Sequence, residues 1–336
     1  MRKFSSFLII VLAGLLFCVS VSANSHWDEY RIRFMMNDGR IIDTGNKNIS
    51  HSEGQGYGML FAVSWGDRTS FDKIWQWTRS NLYNQDNGLF YWKYDPAAAT
   101  PVVDKNNASD GDTLIAWALL KAGETWNDKA YTRMSDDIIR AILQKDVIVY
   151  AGYRVLLPGE KGFCFESYCV LNASYFIYPA WKDFARTSHL LVWKELTDNG
   201  LQLLKKMRGG EADLPADWMA LKLNGEIQPA SGWPARTSYD AIRIPLYVYW
   251  LNSESDLLAP WRSWWQQFSP EQTPAWVSFN GQKAPYVMNG GMQAVRNLIT
   301  EGSTENITVT ASDDYYSASL KLQVLMALRQ QRQSVP

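Results

Sequence analysis

The sequence predicts a single all-α domain with long functional loops, and three observations carry that expectation. Apolar residues recur at helical spacing, most cleanly in Ile115, Ala118, Leu119, Ala122 and Trp126, which follow i, i+3, i+4, i+7 and i+11. Strict apolar/polar alternation, the mark of half-buried strands, is scarce. No Pro-rich or Ser/Gly-rich linker, charge block or readable repeat divides the chain. With 336 residues, 46% apolar and 20% charged, there is enough apolar side chain to bury a large core.

Taken in order, residues 1–23 read as a secretory leader: Arg2 and Lys3 are basic, Phe7 to Val19 is apolar, and Val21-Ser22-Ala23 is a cleavage site. The apolar run is shorter than the roughly 20 residues a spanning helix needs. Export to the periplasm or beyond, with no stable membrane insertion after cleavage, is therefore expected. Residues 24–336 are expected to form one catalytic domain. Helices are predicted over Tyr57 to Asn81, Leu114 to Trp126, Tyr131 to Asp146, Leu190 to Met207, Tyr239 to Leu251 and Ser317 to Gln333. Gly, Asn, Asp and Pro clusters at Asn84 to Gly88 and Gly209 to Pro215 mark loops. Tyr150 to Leu157 reads as a short strand, so a small hairpin is allowed. Cys164 and Cys169 lie five positions apart, either bridged after export or buried as thiols.

Charge excludes some partners. The 33 basic and 34 acidic residues give no electrostatic footprint for nucleic acid or an anionic membrane. Aromatic content is the unusual feature, with 16 Trp, 17 Tyr and 13 Phe, more Trp than a core of this size requires. Rings in that number suit a flat amphipathic ligand. His26, His51 and His189 are scattered and no HExxH or CxxC occurs, so catalytic zinc is not expected. The Asp104 to Asp112 run lacks the spacing of a calcium loop, and Gly54 to Met59 has Met59 where a dinucleotide loop needs its third Gly. No GxSxG is present. No cofactor or metal is expected.

What remains is a set of acids in unusual surroundings. Glu53 sits among Gly54, Gly56, Tyr57 and Gly58, where small residues let backbone approach a ligand and a half-buried carboxyl would be pushed upward and could act as an acid. A simple dipole-favoured acid at a helix start is the alternative. Asp110 and Asp112 flank Gly111 ahead of a predicted helix, two acids where an N-cap needs one. Asp240 stands beside Tyr239, with Arg243 three residues on and on the same helical face, close to Trp233. One carboxyl kept protonated and another ionised is what glycosidic hydrolysis requires, and aromatic platforms stack on the apolar faces of sugar rings.

The run Ala108-Ser109-Asp110-Gly111-Asp112 through Trp126 resembles the signature of glycoside hydrolase family 8, an A-[ST]-D-[AG]-D opening with an aromatic residue at the far end. Ser52-Glu53-Gly54-Gln55-Gly56-Tyr57 resembles the segment carrying that family's general acid, and Ser238-Tyr239-Asp240-Ala241-Ile242-Arg243 its base segment. Asp314-Tyr315-Tyr316 extends the likeness toward the C-terminus, and the compact secreted or cellulose-synthesis-associated bacterial endo-1,4-β-glucanases are the nearest type.

The resemblance implies an (α/α)6 barrel of six helical hairpins with an open cleft, and an inverting mechanism. It implies Glu53 as general acid, Asp240 as general base, Asp110 as an active-site acid holding the distorted sugar, and Arg243 and Tyr316 orienting Asp240 or the water. Tyr57, Trp92, Asp112, Trp117, Trp181, Trp233, Tyr239 and Tyr315 are the further substrate-binding candidates, although core burial is an equal alternative for each single Trp. Inversion requires a Glu53 to Asp240 carboxyl separation of about 6.5–9.5 Å. The expected partner is a β-1,4-glucan chain, bound by a monomer. Chitosan, xylan and mixed-linkage glucan are the alternative substrates, and a largely non-catalytic glycan-binding factor in cellulose export is the alternative function.

Overall fold

The computed structural model describes residues 25–302 and 307–333, so the expected leader at 1–23 lies outside the described residues. Eleven α-helices are described there: α1 (Ser25–Phe34), α2 (Ser52–Ser64), α3 (Arg68–Asn81), α4 (Ser109–Trp126), α5 (Lys129–Lys145), α6 (Tyr178–Ser188), α7 (Leu191–Met207), α8 (Arg243–Leu251), α9 (Ala259–Trp265), α10 (Gly290–Glu301) and α11 (Tyr315–Gln333). Six of them, α2, α4, α6, α8, α10 and α11, each pack on the next, and α11 returns to α2 to close the ring. Helices α3, α5 and α7 are the hairpin partners of α2, α4 and α6, while α9 packs on α10 and α1 on α11 and α2. This is the expected (α/α)6 barrel.

Sequence dictates which helices go inside. In α4 every residue from Ser109 to Leu120 is buried, and in α2 every residue from Gly54 to Val63. Helices apolar on all sides belong in an interior. The partners α3 and α5 bury one stripe each: Phe71, Ile74, Trp75 and Thr78 in α3, and Ile138, Ile139, Ala141 and Ile142 in α5. Inner helices approach closely because glycines line their contacts. A Cβ on Gly56 would lie 2.6 Å from the Leu114 Cβ, and one on Gly58 2.7 Å from Ile41 Cγ1. The α2 glycines therefore serve helix packing; a ligand is not what they admit.

The helix predicted over 57–81 is two helices. Gly66 takes φ +76°, and Asp67 caps α3 by accepting from the Ser70 amide at 3.0 Å. Helix α4 begins at Ser109, five residues before the apolar stripe, and α8 begins at Arg243 after a turn that holds Ser238 to Ile242. Helices α1, α6, α9 and α10 were not expected, since their apolar stripes are short or interrupted by polar residues.

Short antiparallel strands ornament the loops. They are β1 (Ser50–His51) with β2 (Lys93–Tyr94), the hairpin β3 (Val147–Tyr150) with β4 (Tyr153–Leu156), the sheet of β5 (Tyr168–Leu171), β6 (Met219–Lys222) and β7 (Ile227–Pro229), and β8 (Arg236–Thr237) with β9 (Val277–Ser278). The β3–β4 hairpin, in register Val147 to Leu156, answers the strand expected near 150–157. Cys164, ahead of β5, and Cys169, within it, form a disulfide across a tight turn.

Candidate active site

The N-terminal turns of α2, α4 and α11 and the turn entering α8 converge at one end of the barrel. Gly111 makes the first junction. A Cβ there would lie 2.7 Å from the Glu53 amide nitrogen and would clash with Ser52 Oγ, so only glycine lets α4 bring Asp110 beside Glu53. Gly54 seats Tyr315 of α11 in the same way, with Tyr315 Oη 2.6 Å from where a Cβ would be.

Asp240 reaches the site from the turn before α8, and both of its oxygens are held. Arg243 Nη2 donates to Oδ1 at 2.9 Å and Asn172 Nδ2 to Oδ2 at 3.2 Å. Asn172 is itself fixed, because its Oδ1 accepts from the Ser174 amide at 3.0 Å and the Ser174 hydroxyl at 2.7 Å. Ser174 Oγ accepts in turn from Arg243 Nη2 at 2.9 Å, closing a ring of four residues around the carboxyl. Tyr316 donates to the Tyr239 carbonyl and pins the same turn from α11.

Arg243 is the hub. Its side chain is 3% exposed, and its guanidinium pairs with Glu53 through Nη1, lies 3.5 Å from Asp110 Oδ2 and pairs with Asp240 through Nη2. Tyr57, also buried, accepts from Nη1 at 3.3 Å and donates to Glu53 Oε1 at 3.3 Å. One positive charge cannot balance three carboxylates gathered around it, so the cluster favours keeping a proton. Burial raises the Asp110 carboxyl to about 7, against the opposing bond from the Gly111 amide. Desolvation, then the Asp217 and Asp110 carboxyls, push Asp240 up to about 8. The direct Arg243 contact acts the other way and, with a third of the Asp240 side chain open to solvent, opposes that rise.

Aromatic side chains flank this centre. Trp92 stacks on His51 at 6.2 Å next to Glu53 and donates to Asp104 at 2.8 Å. Trp233 stacks on Trp218 at 5.2 Å, and Trp218 on Phe163 at 5.9 Å. Tyr239, 38% exposed, contacts Tyr316 and bonds to Tyr286. Trp92, Trp233, Tyr239 and Tyr316 thus keep surface at the cleft.

Four other candidates do not. Trp117 is 1% exposed, packed on Trp250 with its N–H on Asp183, and Trp181 is 1% exposed among Phe176 and Tyr178. Tyr315 is 2% exposed between Tyr30 and Phe34. Their helical stripes turn them into the core, the alternative that applied to any single ring. Asp112 is fully buried, about half a turn of α4 from Asp110 and so facing away from it. It accepts from the Phe90 amide at 2.8 Å and from Asn107, whose amide also bonds Asp146, so it braces a loop and meets no ligand.

Sequence reasoning missed Asn172, Ser174, Tyr175, Asp217 and Trp218. Tyr175 faces both Asp110 and Asp240, whose charges add to burial in raising its hydroxyl pKa. Short polar residues in loops without a periodic pattern carry no such signal; Asp217-Trp218, an acid beside an indole, repeats the kind of pairing that exposed Tyr239-Asp240. Among the described residues, no group of three or more His, Cys, Asp or Glu side chains is placed to hold a metal ion, and no helix is long and apolar enough to cross a membrane.

Comparison with known proteins gives one consistent result. The sequence model described as "Glycosyl hydrolases family 8" matches residues 4–331. An endoglucanase of Cellulomonas uda is 50% identical over 291 residues, covering 86% of this chain and 81% of that protein. A family 8 endoglucanase structure from Klebsiella pneumoniae superposes with a TM-score of 0.90 at 52% identity, covering 91% of this chain and 99% of the other. An endo-β-1,4-glucanase of the same family from an Achatina fulica gut metagenomic library gives 0.90 at 53% identity, with coverage of 92% and 99%.

Proposed function

The chain belongs to glycosyl hydrolase family 8, and we propose that it is an inverting endo-β-1,4-glucanase acting on cellulose-type chains. The observation that carries the chemistry is the convergence of Glu53, Asp110 and Asp240 on one buried guanidinium at the open end of the barrel. Glu53, at the start of α2, donates its proton to the departing glycosidic oxygen. Asp240, gripped by Arg243 and Asn172, takes a proton from the water that attacks the opposite face of the sugar. The reaction requires the proton retained by the cluster to reside on Glu53 and Asp240 to be ionised, with Arg243 holding Asp110 and Asp240. Asp110 accepts from sugar hydroxyls at the point of cleavage.

Partly exposed rings near the acids, Trp92 beside the segment of Glu53 and Trp233 and Tyr239 beside that of Asp240, offer stacking faces for a chain laid across the site, which supports internal cleavage. The leader expected at residues 1–23 supports work outside the cytoplasm, in the periplasm or the medium. Loss of viscosity and release of reducing ends from carboxymethylcellulose, with chitosan, xylan and mixed-linkage glucan in parallel, tests the reading. The protein should thin carboxymethylcellulose rapidly and Glu53→Gln should abolish this. Activity confined to chitosan or xylan would move the substrate, and inactivity on all four would leave a glycan-binding role.

A further inference from the structure

The turn Ser238 to Ile242 that carries Asp240 precedes α8, and α8 has no side-chain cap of its own. The first amides of α8 bond carbonyls of that turn, and the turn's own amides are satisfied from a distance. Asp217, 8% exposed at the entry to β6, accepts from the Ser238 amide at 2.8 Å and from the Ala241 amide at 2.9 Å through Oδ1, and from the Ser238 hydroxyl through Oδ2. The Asp217 amide donates to the Arg236 carbonyl at 2.9 Å, and the Thr237 hydroxyl to the Pro215 carbonyl at 2.7 Å, so the two segments are stitched on both sides. The two amides that Asp217 holds flank Tyr239 and Asp240. Asp217 touches neither the cleft centre nor Arg243, and catalysis by Glu53 and Asp240 does not use it.

We propose that Asp217 is a positioning residue for the reaction: it clamps the 238–241 turn from outside the cleft and so sets where, and at what pH, Asp240 can act as base. The proposal rests on the assignment of Asp240. Burial raises the Asp217 carboxyl, but all three of its contacts are donors and Arg236 faces it, which favours the ionised form and lays a negative charge behind the base. That charge favours the protonated form of Asp240. The other groups facing Asp240 are Asp110 from α4, Asn172 and Tyr175 from the loop before α6, Trp218 beside β6, Arg243 from α8 and Tyr316 from α11. Arg236 faces Asp217 itself. The clamp thus does two things with separable signatures. It holds the turn, which any good acceptor can do, and it biases the proton equilibrium of the base, which needs its charge.

The test is the pH profile of hydrolysis of a soluble cello-oligosaccharide by wild type, Asp217→Asn, Asp217→Glu, Asp217→Ala and Asp240→Ala. Asp217→Asn keeps an acceptor and removes the charge, so the acid limb of kcat/KM should move down by about half a pH unit or more, because Asp240 then loses its proton more easily. Asp217→Glu keeps the charge and misplaces the turn: kcat should fall with the limb unmoved, which gives a reading if the Asn variant does not fold. Asp217→Ala should lower kcat by about 10²-fold with KM nearly unchanged. Folded Asn and Glu variants that lose melting temperature but keep wild-type kcat and pH profile would overturn the clamp. If Asp240→Ala alone retains activity, the base assignment itself fails, a distinct outcome.

Discussion

Arg243→Met replaces the hub with a side chain of similar length and no charge, and its consequences follow from three contacts. The guanidinium is almost wholly buried and is the cation shared by Glu53, Asp110 and Asp240. At an effective dielectric near 20, a pair at 2.9 Å is worth about 6 kcal/mol before desolvation is set against it. Breaking a buried pair by removing one partner costs about 3–5 kcal/mol net. For a chain of this size that is a fall of about 6–10 °C in melting temperature near pH 7, read by scanning calorimetry. The pH dependence has a definite sign. Without the cation the Asp110 and Asp240 carboxyls are raised further above their unfolded value near 4, so the folded state keeps protons that the unfolded state releases. Stability of the variant should therefore fall more steeply than wild type as pH rises from about 5 to 8, and much of the loss should vanish near pH 4. The loss of orientation at Asp240 should cost about 10²-fold or more in kcat at every pH. A variant destabilised equally at pH 4 and pH 8, or one that keeps wild-type kcat, would refute the account of Arg243 as the shared counter-ion.

Asp146 has one oxygen on Asn107 and the other unpartnered, and burial pushes its carboxyl up to about 7. Its ionisation thus removes stability as pH rises from about 4 to 7, so Asp146→Asn should shrink the stability difference between pH 4 and pH 8 by about 1–3 kcal/mol, measured by urea unfolding. Gly111→Ala inserts a methyl against Ser52 and the Glu53 amide and should cost about 1–3 kcal/mol and about 10²-fold in kcat, while Ala118→Gly deeper in the same helix should affect melting alone. Cys164→Ser with Cys169→Ser opens a loop of separation five and should cost about 2 kcal/mol, seen as a small drop in melting temperature and as two thiols titratable in the wild type only after reduction.

The helices that sequence showed best were those with a long stripe on one face. Helix α5, with Ile138, Ile139 and Ile142 at proper spacing, and α7 stand where periodicity puts them. Periodicity failed at Gly66, where apolar residues continue on both sides of a left-handed glycine, at α9, which has seven residues, and at α10, whose stripe of Gly291, Ala294, Val295, Leu298 and Ile299 opens on small residues. The three acids were legible because each sits in company that a helix does not require: glycines around Glu53, a second acid beside Asp110, an arginine three residues from Asp240. That same reasoning overreached at Asp112, Trp117, Trp181 and Tyr315. An acid at a helix start or a ring in an aromatic-rich chain looks alike whether it faces a cleft or a core, and only the direction of the helix face decides. Asn172, Ser174 and Asp217 act through backbone amides and fixed hydroxyls contributed by distant loops, and such partnerships leave no trace in local spacing.

The most direct test of the central claim follows the anomer formed first. Digestion of a soluble cello-oligosaccharide, watched by proton NMR from the first minutes before mutarotation, should show α-configured new reducing ends, released from internal bonds, and none with Glu53→Gln or Asp240→Ala. New ends formed in the β configuration would contradict inversion and with it the roles of Glu53 and Asp240 as separate acid and base.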